Sequence, residues 1–209
     1  MNVFCINNAF PPTTIVFSSL EKLFFSVTEN PPAKQPNNIL YIAKQMMTLF
    51  SFSPKDIDFV SVVSGPGSFT GTRIGIVDAK MISFSLNIPI VSLNSLELLA
   101  ADFKEEVIPL LPAGMKEYFI ARFQNGRRIE QDRCVGEEEL SLMKGTFVAP
   151  TNSVEKIIKN GKLIVRIPSP FVVAKKSFEK FAEGKVAKEP LSLAPLYLRS
   201  VDMIFKKMI

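Results

Sequence analysis

Alternating, Val-rich runs and helix-period apolar runs take turns along the chain. Three strand-like runs come first, over residues 2–6, 13–18 and 22–28, and a Pro-rich loop then leads to a helical stretch over 38–50. Phe59-Val60-Ser61-Val62-Val63-Ser64 reads as a strand that stops at Gly65. The pattern then predicts a helix over 72–86, a strand over 89–93 and a helix over 95–103. The same order starts again further on. Strand-like runs at 106–111, 117–123 and 127–134 are followed by a short helix near 136–143, strands at 146–149 and 162–166, and a helix at 169–182. Gln124-Asn125-Gly126 is the hairpin signal between two of these strands. Two halves that each open with three strands predict an α/β protein built from a duplicated unit, with an N-terminal lobe over 1–103 and a smaller, more divergent C-terminal lobe over 104–209.

The most informative stretch is the glycine-rich junction GPGSFTGTRIGIVDAK, residues 65–80. Gly65, Gly67 and Gly71 permit positive φ and close backbone approach, Pro66 fixes its own φ, and Ser68 and Thr70 are natural helix caps. A strand, a tight loop and a helix start in that order expose backbone N–H groups that favour an anion. Gly65, Gly67, Ser68, Thr70, Gly71 and Arg73 are therefore the candidate anion-binding set, and a sharp βα turn without a ligand is the plainer alternative. Neither nucleotide fingerprint fits, because no Gly-Lys-Ser/Thr follows and the third glycine falls at Gly71 rather than at position 70.

The chain has 209 residues, 47% of them hydrophobic, enough for one large domain or two small ones with a sizeable core. No apolar run is long enough to span a membrane and no secretory leader is recognisable, so a cytoplasmic protein is expected. There is no histidine, and Cys5 and Cys134 are the only cysteines. That removes Ser-His-Asp triads, histidine bases and the usual zinc sites, and neither a catalytic residue nor a metal site is assigned. Cys5 lies in an apolar strand pattern and reads as a buried free thiol.

The string GPGSFTGTRIG, the Ala79-Lys80 pair and then IPIVSLNSLE over 88–97 resemble the TsaB (YeaZ) family strongly from Asp56 to Ala101, and APLYLR over 194–199 resembles the family's closing segment more weakly. Thr72 stands where the family has Leu, and Asn94 where it has Ser. The resemblance implies the two-lobed actin-like ATPase (ribonuclease H-like) fold, with duplicated mixed β-sheets flanked by helices. It also implies a part in forming threonylcarbamoyladenosine in transfer RNA. In active members of that fold group an aspartate follows the first strand of each lobe and positions metal-bound phosphates. Here those places read Ile6-Asn7-Asn8 and Leu111-Pro112-Ala113. Asn7 carries no charge for a metal ion, and Pro112 has neither charge nor N–H. Asn7 reads as a turn residue that satisfies local backbone.

What the resemblance implies is therefore a non-catalytic scaffold or activator with no cofactor of its own, any nucleotide being confined to a subunit boundary. It implies the transferase subunit TsaD as partner, TsaE within the complex, a homodimer when alone, and indirect contact with transfer RNA. The first two long helices agree, because their apolar residues spread too widely for one stripe. One side covers the sheet; the other can meet a partner, or can be buried by the second lobe or the C-terminal segment. Candidate partner contacts are Ile39, Ile42, Met46, Met47, Ile74, Val77, Met81 and Ile82. Alternatives are a small-molecule kinase or hydrolase that uses the Gly65–Gly71 loop for phosphate, and a TsaB-like protease or regulator. The net charge of +5 fits RNA contact. Lys175, Lys176, Lys180, Lys185, Lys188, Arg199, Lys206 and Lys207 crowd the last fifth of the chain, and a solvated face is the simpler account of them.

Overall fold

A computed structural model describes residues 1–19, 21–28, 39–187 and 189–198. The Pro-rich loop, the expected helix start at Asn38, and Lys188, Arg199, Lys206 and Lys207 lie outside the described residues.

The first sheet contains β1 (Asn2–Asn7), β2 (Thr13–Ser19), β3 (Leu23–Thr28), β4 (Phe59–Gly65) and β5 (Ile90–Asn94), in the order β3-β2-β1-β4-β5. β1 pairs antiparallel with β2 and parallel with β4, and β4 pairs parallel with β5. The second sheet contains β6 (Ile108–Gly114), β7 (Glu117–Gln124), β8 (Arg127–Gly136), β9 (Gly145–Ala149) and β10 (Gly161–Val165). Its order, read from the antiparallel edge, is β8-β7-β6-β9-β10. Each sheet is thus an antiparallel meander joined through its opening strand to a parallel pair. This is the duplicated mixed-sheet architecture of the actin-like fold, with β1 and β6 in equivalent central places.

Local chemistry sets the element ends. β4 is buried along its whole length, which is why its sequence runs apolar and β-branched rather than strictly alternating. The β7–β8 turn has positive φ at Asn125 and Gly126, 52° and 67°, the conformation a two-residue hairpin requires. α2 (Phe69–Leu86) begins three residues before the expected start, because the Ser68 hydroxyl accepts the Gly71 N–H at 3.1 Å and caps the first turn. Asn87, with φ 53°, closes that helix in the left-handed conformation. α3 (Ser95–Ala100) is shorter than its sequence suggests, and α4 (Glu137–Leu142) follows β8.

α1 (Ile39–Phe50) and α2 cover one face of the first sheet, around Phe4, Ile6, Ile15, Val60, Val62 and Ile76. The other face meets α3 and α5 (Pro170–Ala182), in a core shared with the second sheet through Leu111, Phe119, Phe123 and Val148. α5 packs on β1, β2 and β5, so the chain after β10 returns across the expected lobe boundary to the first sheet. Beneath it the Ser177 hydroxyl lies 2.6 Å from that of Ser61 and 3.3 Å from the Cys5 sulfur, and donates to the Val173 carbonyl at 2.7 Å. Burial pushes the Cys5 thiol up to about 11.

Candidate protein interface and the glycine loop

Residues 65–71 cross directly over the turn that follows β1. A Cβ at Gly67 would stand under 3.0 Å from the Ala9 carbonyl oxygen, and one at Gly71 under 3.0 Å from that of Asn8. Gly65 has φ 112°, a conformation that disfavours any side chain. The Ser68 N–H donates to the Ala9 carbonyl at 2.7 Å, and the Asn8 amide donates to the Gly71 carbonyl at 3.1 Å. The glycines thus let two backbone turns touch. The expected anion set is not brought together: Ser68 is engaged through both its N–H and its hydroxyl, Thr70 is exposed, and Arg73 turns away. The Arg73 guanidinium lies 3.6 Å from the centre of the Phe69 ring and donates through Nε to the Tyr197 hydroxyl at 2.9 Å. The family-like C-terminal segment is therefore clasped to α2, and the Leu196 N–H also donates to the Ser64 carbonyl at 2.8 Å.

The first-strand position behaves as the turn residue its sequence suggests. Asn7 is 3% exposed; its amide donates to the Phe10 and Pro12 carbonyls at 3.1 and 3.2 Å, and its oxygen accepts the Ala9 N–H at 3.2 Å. Both ends of its side chain are occupied by backbone. Pro112, on β6, helps line a cleft of about 260 Å³ between the sheets with Ala9, Phe10, Gly67, Leu111 and Pro150. The lining contains no charged side chain to steady a phosphate or a metal ion. Among the described residues no cluster of three or more Cys, Asp or Glu could hold a metal.

The helices sort the candidate partner contacts into two groups. Ile39 and Met46 are 0% and 4% exposed and pack into the first-sheet core, which corrects their expected place at a partner surface. The reason is rotational: they lie with Ala43 on the one side of α1 that faces the sheet. Ile42, Met47, Ile74 and Ile82 are half-buried against the same core. Val77 and Met81 are 53% and 52% exposed, and Phe84, absent from the expected set, is 70% exposed. At 100° per residue Ile74, Val77, Met81 and Phe84 fall within about 80° of one another on the outer side of α2. Phe69 and Arg73 continue that stripe at four-residue spacing, a signal readable in the sequence once the buried side is known. Leu49 and Tyr41 add exposed apolar surface on α1. Asp78 sits beside the stripe, and burial raises its carboxyl above the usual range.

Thr72 occupies the place where the resembling family has Leu. It is buried, its methyl reaches towards Gly65, and its hydroxyl has no hydrogen-bond partner among the described residues.

The model of the family described as TsaD, tRNA N6-adenosine threonylcarbamoyltransferase, matches residues 34–184. The Bacillus subtilis tRNA threonylcarbamoyladenosine biosynthesis protein TsaB is 39% identical over 75 residues, 34% of this chain and 33% of that protein. Its Escherichia coli namesake is 29% identical over 122 residues, 56% of this chain and 52% of that protein. The chain thus spans about a third to a half of the length of these curated relatives. YeaZ from Pseudomonas aeruginosa has the same fold, with a TM-score of 0.78 at 16% identity over 94% of this chain and 99% of that one. The matched span and the TsaB-named relatives place the chain, within the wider group that the family model describes, in the TsaB (YeaZ) family.

Proposed function

We propose that this chain serves tRNA threonylcarbamoyladenosine biosynthesis as a non-catalytic subunit in the cytoplasm. It pairs through the outer face of α2, with the exposed side of α1, to the transferase subunit TsaD and through it to TsaE; alone, the same face pairs two copies of the chain. It needs no cofactor of its own. The observation that carries this reading is the exposed stripe of Val77, Met81 and Phe84, flanked by half-buried Ile74, on the helix that the glycine loop launches. The cleft supports the non-catalytic part, since the two places where active members of the fold carry aspartates hold an Asn with both side-chain ends occupied and a Pro.

Burying one large apolar side chain contributes roughly 1.5–3 kcal/mol, so the stripe can supply the centre of a specific interface. The test is co-elution of the chain with TsaD on a sizing column. A Met81→Asp and Phe84→Asp double variant that stays folded is expected to weaken the pairing roughly 100-fold or more. Unchanged co-elution of that variant, or threonylcarbamoyl transfer by the purified chain alone, overturns the proposal.

A further inference from the structure

One end of the second sheet gathers cations that are scattered through the sequence. Lys104 precedes β6, and its carbonyl accepts the Asn125 N–H at 3.0 Å, so it stands beside the β7–β8 turn where Arg127 begins β8. Lys144 immediately precedes β9. Gly145 pairs with Gly161 and Thr146 with Lys162, which brings Lys144, Lys159 and Lys162 to the same end of the neighbouring strands. Ile108 pairs with Phe147, fixing that level against β6. Across the order β10-β9-β6-β7-β8 the row therefore reads Lys159 and Lys162, Lys144, Lys104 and Arg127.

All five are exposed, and none takes part in an ion pair among the described residues. Glu105 is an acidic neighbour of the row, whereas Glu106 is held by Arg122 at 2.6 Å. The row opens at Arg127 into a polar cleft of about 380 Å³ that is also lined by Arg128, Lys176, Lys180 and Lys185. There the cations are partly balanced: Lys180 pairs with Glu97 at 2.8 Å, Lys176 with Glu179 at 2.8 Å and Lys185 with Glu183 at 2.6 Å. At the opposite end of the sheet α4 opens with Glu137, Glu138 and Glu139, of which Glu139 pairs with Arg133 at 2.5 Å.

Surface cations with carboxylate partners are locally neutralised; a row without them, five strands or ~19 Å wide, attracts a polyanion with charges spaced along a backbone. We infer that this end of the second sheet is a binding surface for the phosphate backbone of RNA, touched directly by this chain. The choice of RNA among polyanions rests on the proposed role in transfer RNA modification. The contacts are to phosphates, so they position the RNA without reading its sequence.

The test uses the full chain and a fluorescent, unmodified tRNA transcript, titrated by anisotropy at several salt concentrations. Lys144→Gln, Lys159→Gln and Lys162→Gln together are expected to weaken binding about tenfold or more and to lower the slope of log K against log salt by about 2 to 3. The control triple Lys22→Gln, Lys55→Gln and Lys116→Gln removes the same charge from exposed sites away from the row and is expected to bind as wild type. No tRNA binding by the wild-type chain, or equal loss in both triples, overturns the inference. Binding to anionic phosphatidylglycerol vesicles, lost in the first triple, with none to tRNA, assigns the row to a membrane and also overturns it. Co-elution with TsaD is read in parallel. If pairing fails while the tRNA result holds, the proposed assembly falls and the RNA surface stands; the reverse outcome removes the surface alone.

Discussion

Gly71→Ala separates a packing role for the glycine loop from a ligand-binding one. The added Cβ would stand under 3.0 Å from the Asn8 carbonyl oxygen, a backbone atom that cannot rotate away. The turn after β1 must therefore move. Moving it endangers the Ser68 N–H to Ala9 bond at 2.7 Å and the Asn8 amide to Gly71 bond at 3.1 Å, each worth about 1 kcal/mol net. Overpacking adds about 1–3 kcal/mol, and the better helix propensity of Ala returns up to about 1 kcal/mol. The expected loss is about 3 kcal/mol, which for a chain of this length lowers Tm by roughly 10 °C. Urea unfolding followed by circular dichroism reads it as a lower midpoint with an unchanged slope. Gly136→Ala is the control, because an added Cβ there meets nothing within 4 Å. A Gly71→Ala chain within about 0.5 kcal/mol of wild type would refute the reasoning, since surface changes that touch nothing fall in that range.

Met46→Ala is expected to lower stability by about 2–3 kcal/mol in urea and leave co-elution with TsaD intact once folded, whereas Met81→Ala does the opposite. Thr72→Val keeps the shape of a buried side chain and removes a hydroxyl without a partner, so thermal unfolding is expected to register a gain of about 1 kcal/mol. The Cys5 thiol rises from 9.0 to about 11 on folding. The folded state therefore holds its proton where the unfolded state releases it, and stability is fully present below pH 9 and falls as pH rises towards 11. Relative to Cys5→Ala, the wild type should lose about 1 kcal/mol between pH 8 and pH 10, measured by urea unfolding at each pH.

Much of the fold is legible in the sequence because burial leaves a direct mark on strands. Phe59–Gly65 lies inside the sheet and reads apolar throughout, and the Asn125-Gly126 pair supplies the positive φ its hairpin needs. The faces of α1 and α2 are not legible in the same way. Met46 and Met81 are chemically identical, and both helices carry apolar residues on more than one side, so only the position of the sheet separates core from surface. The loop misleads for a related reason. Glycines that admit a phosphate and glycines that admit a neighbouring carbonyl look alike in one dimension, and the carbonyls of Asn8 and Ala9 come from about sixty residues upstream. The cationic row is hidden because its members come from the approaches to different strands, while the lysine-rich C-terminal stretch draws attention away from it.

The return of α5 to the first sheet bears on how the chain is made. Val3, Cys5, Val16 and Phe59 share a core with Val172, Val173, Phe178 and Phe181, and the Phe59 and Phe181 rings stack at 4.3 Å. During synthesis the opening strands leave the ribosome well over a hundred residues before the helix that covers them. The first lobe therefore cannot complete its inner face as it emerges, and its final packing waits for the far end of the chain. Loop closure over that distance slows folding, and apolar strand surface stays open to other nascent chains in the interval. A chain stopped before Pro170 would contain every strand of both sheets and still lack one wall of its core.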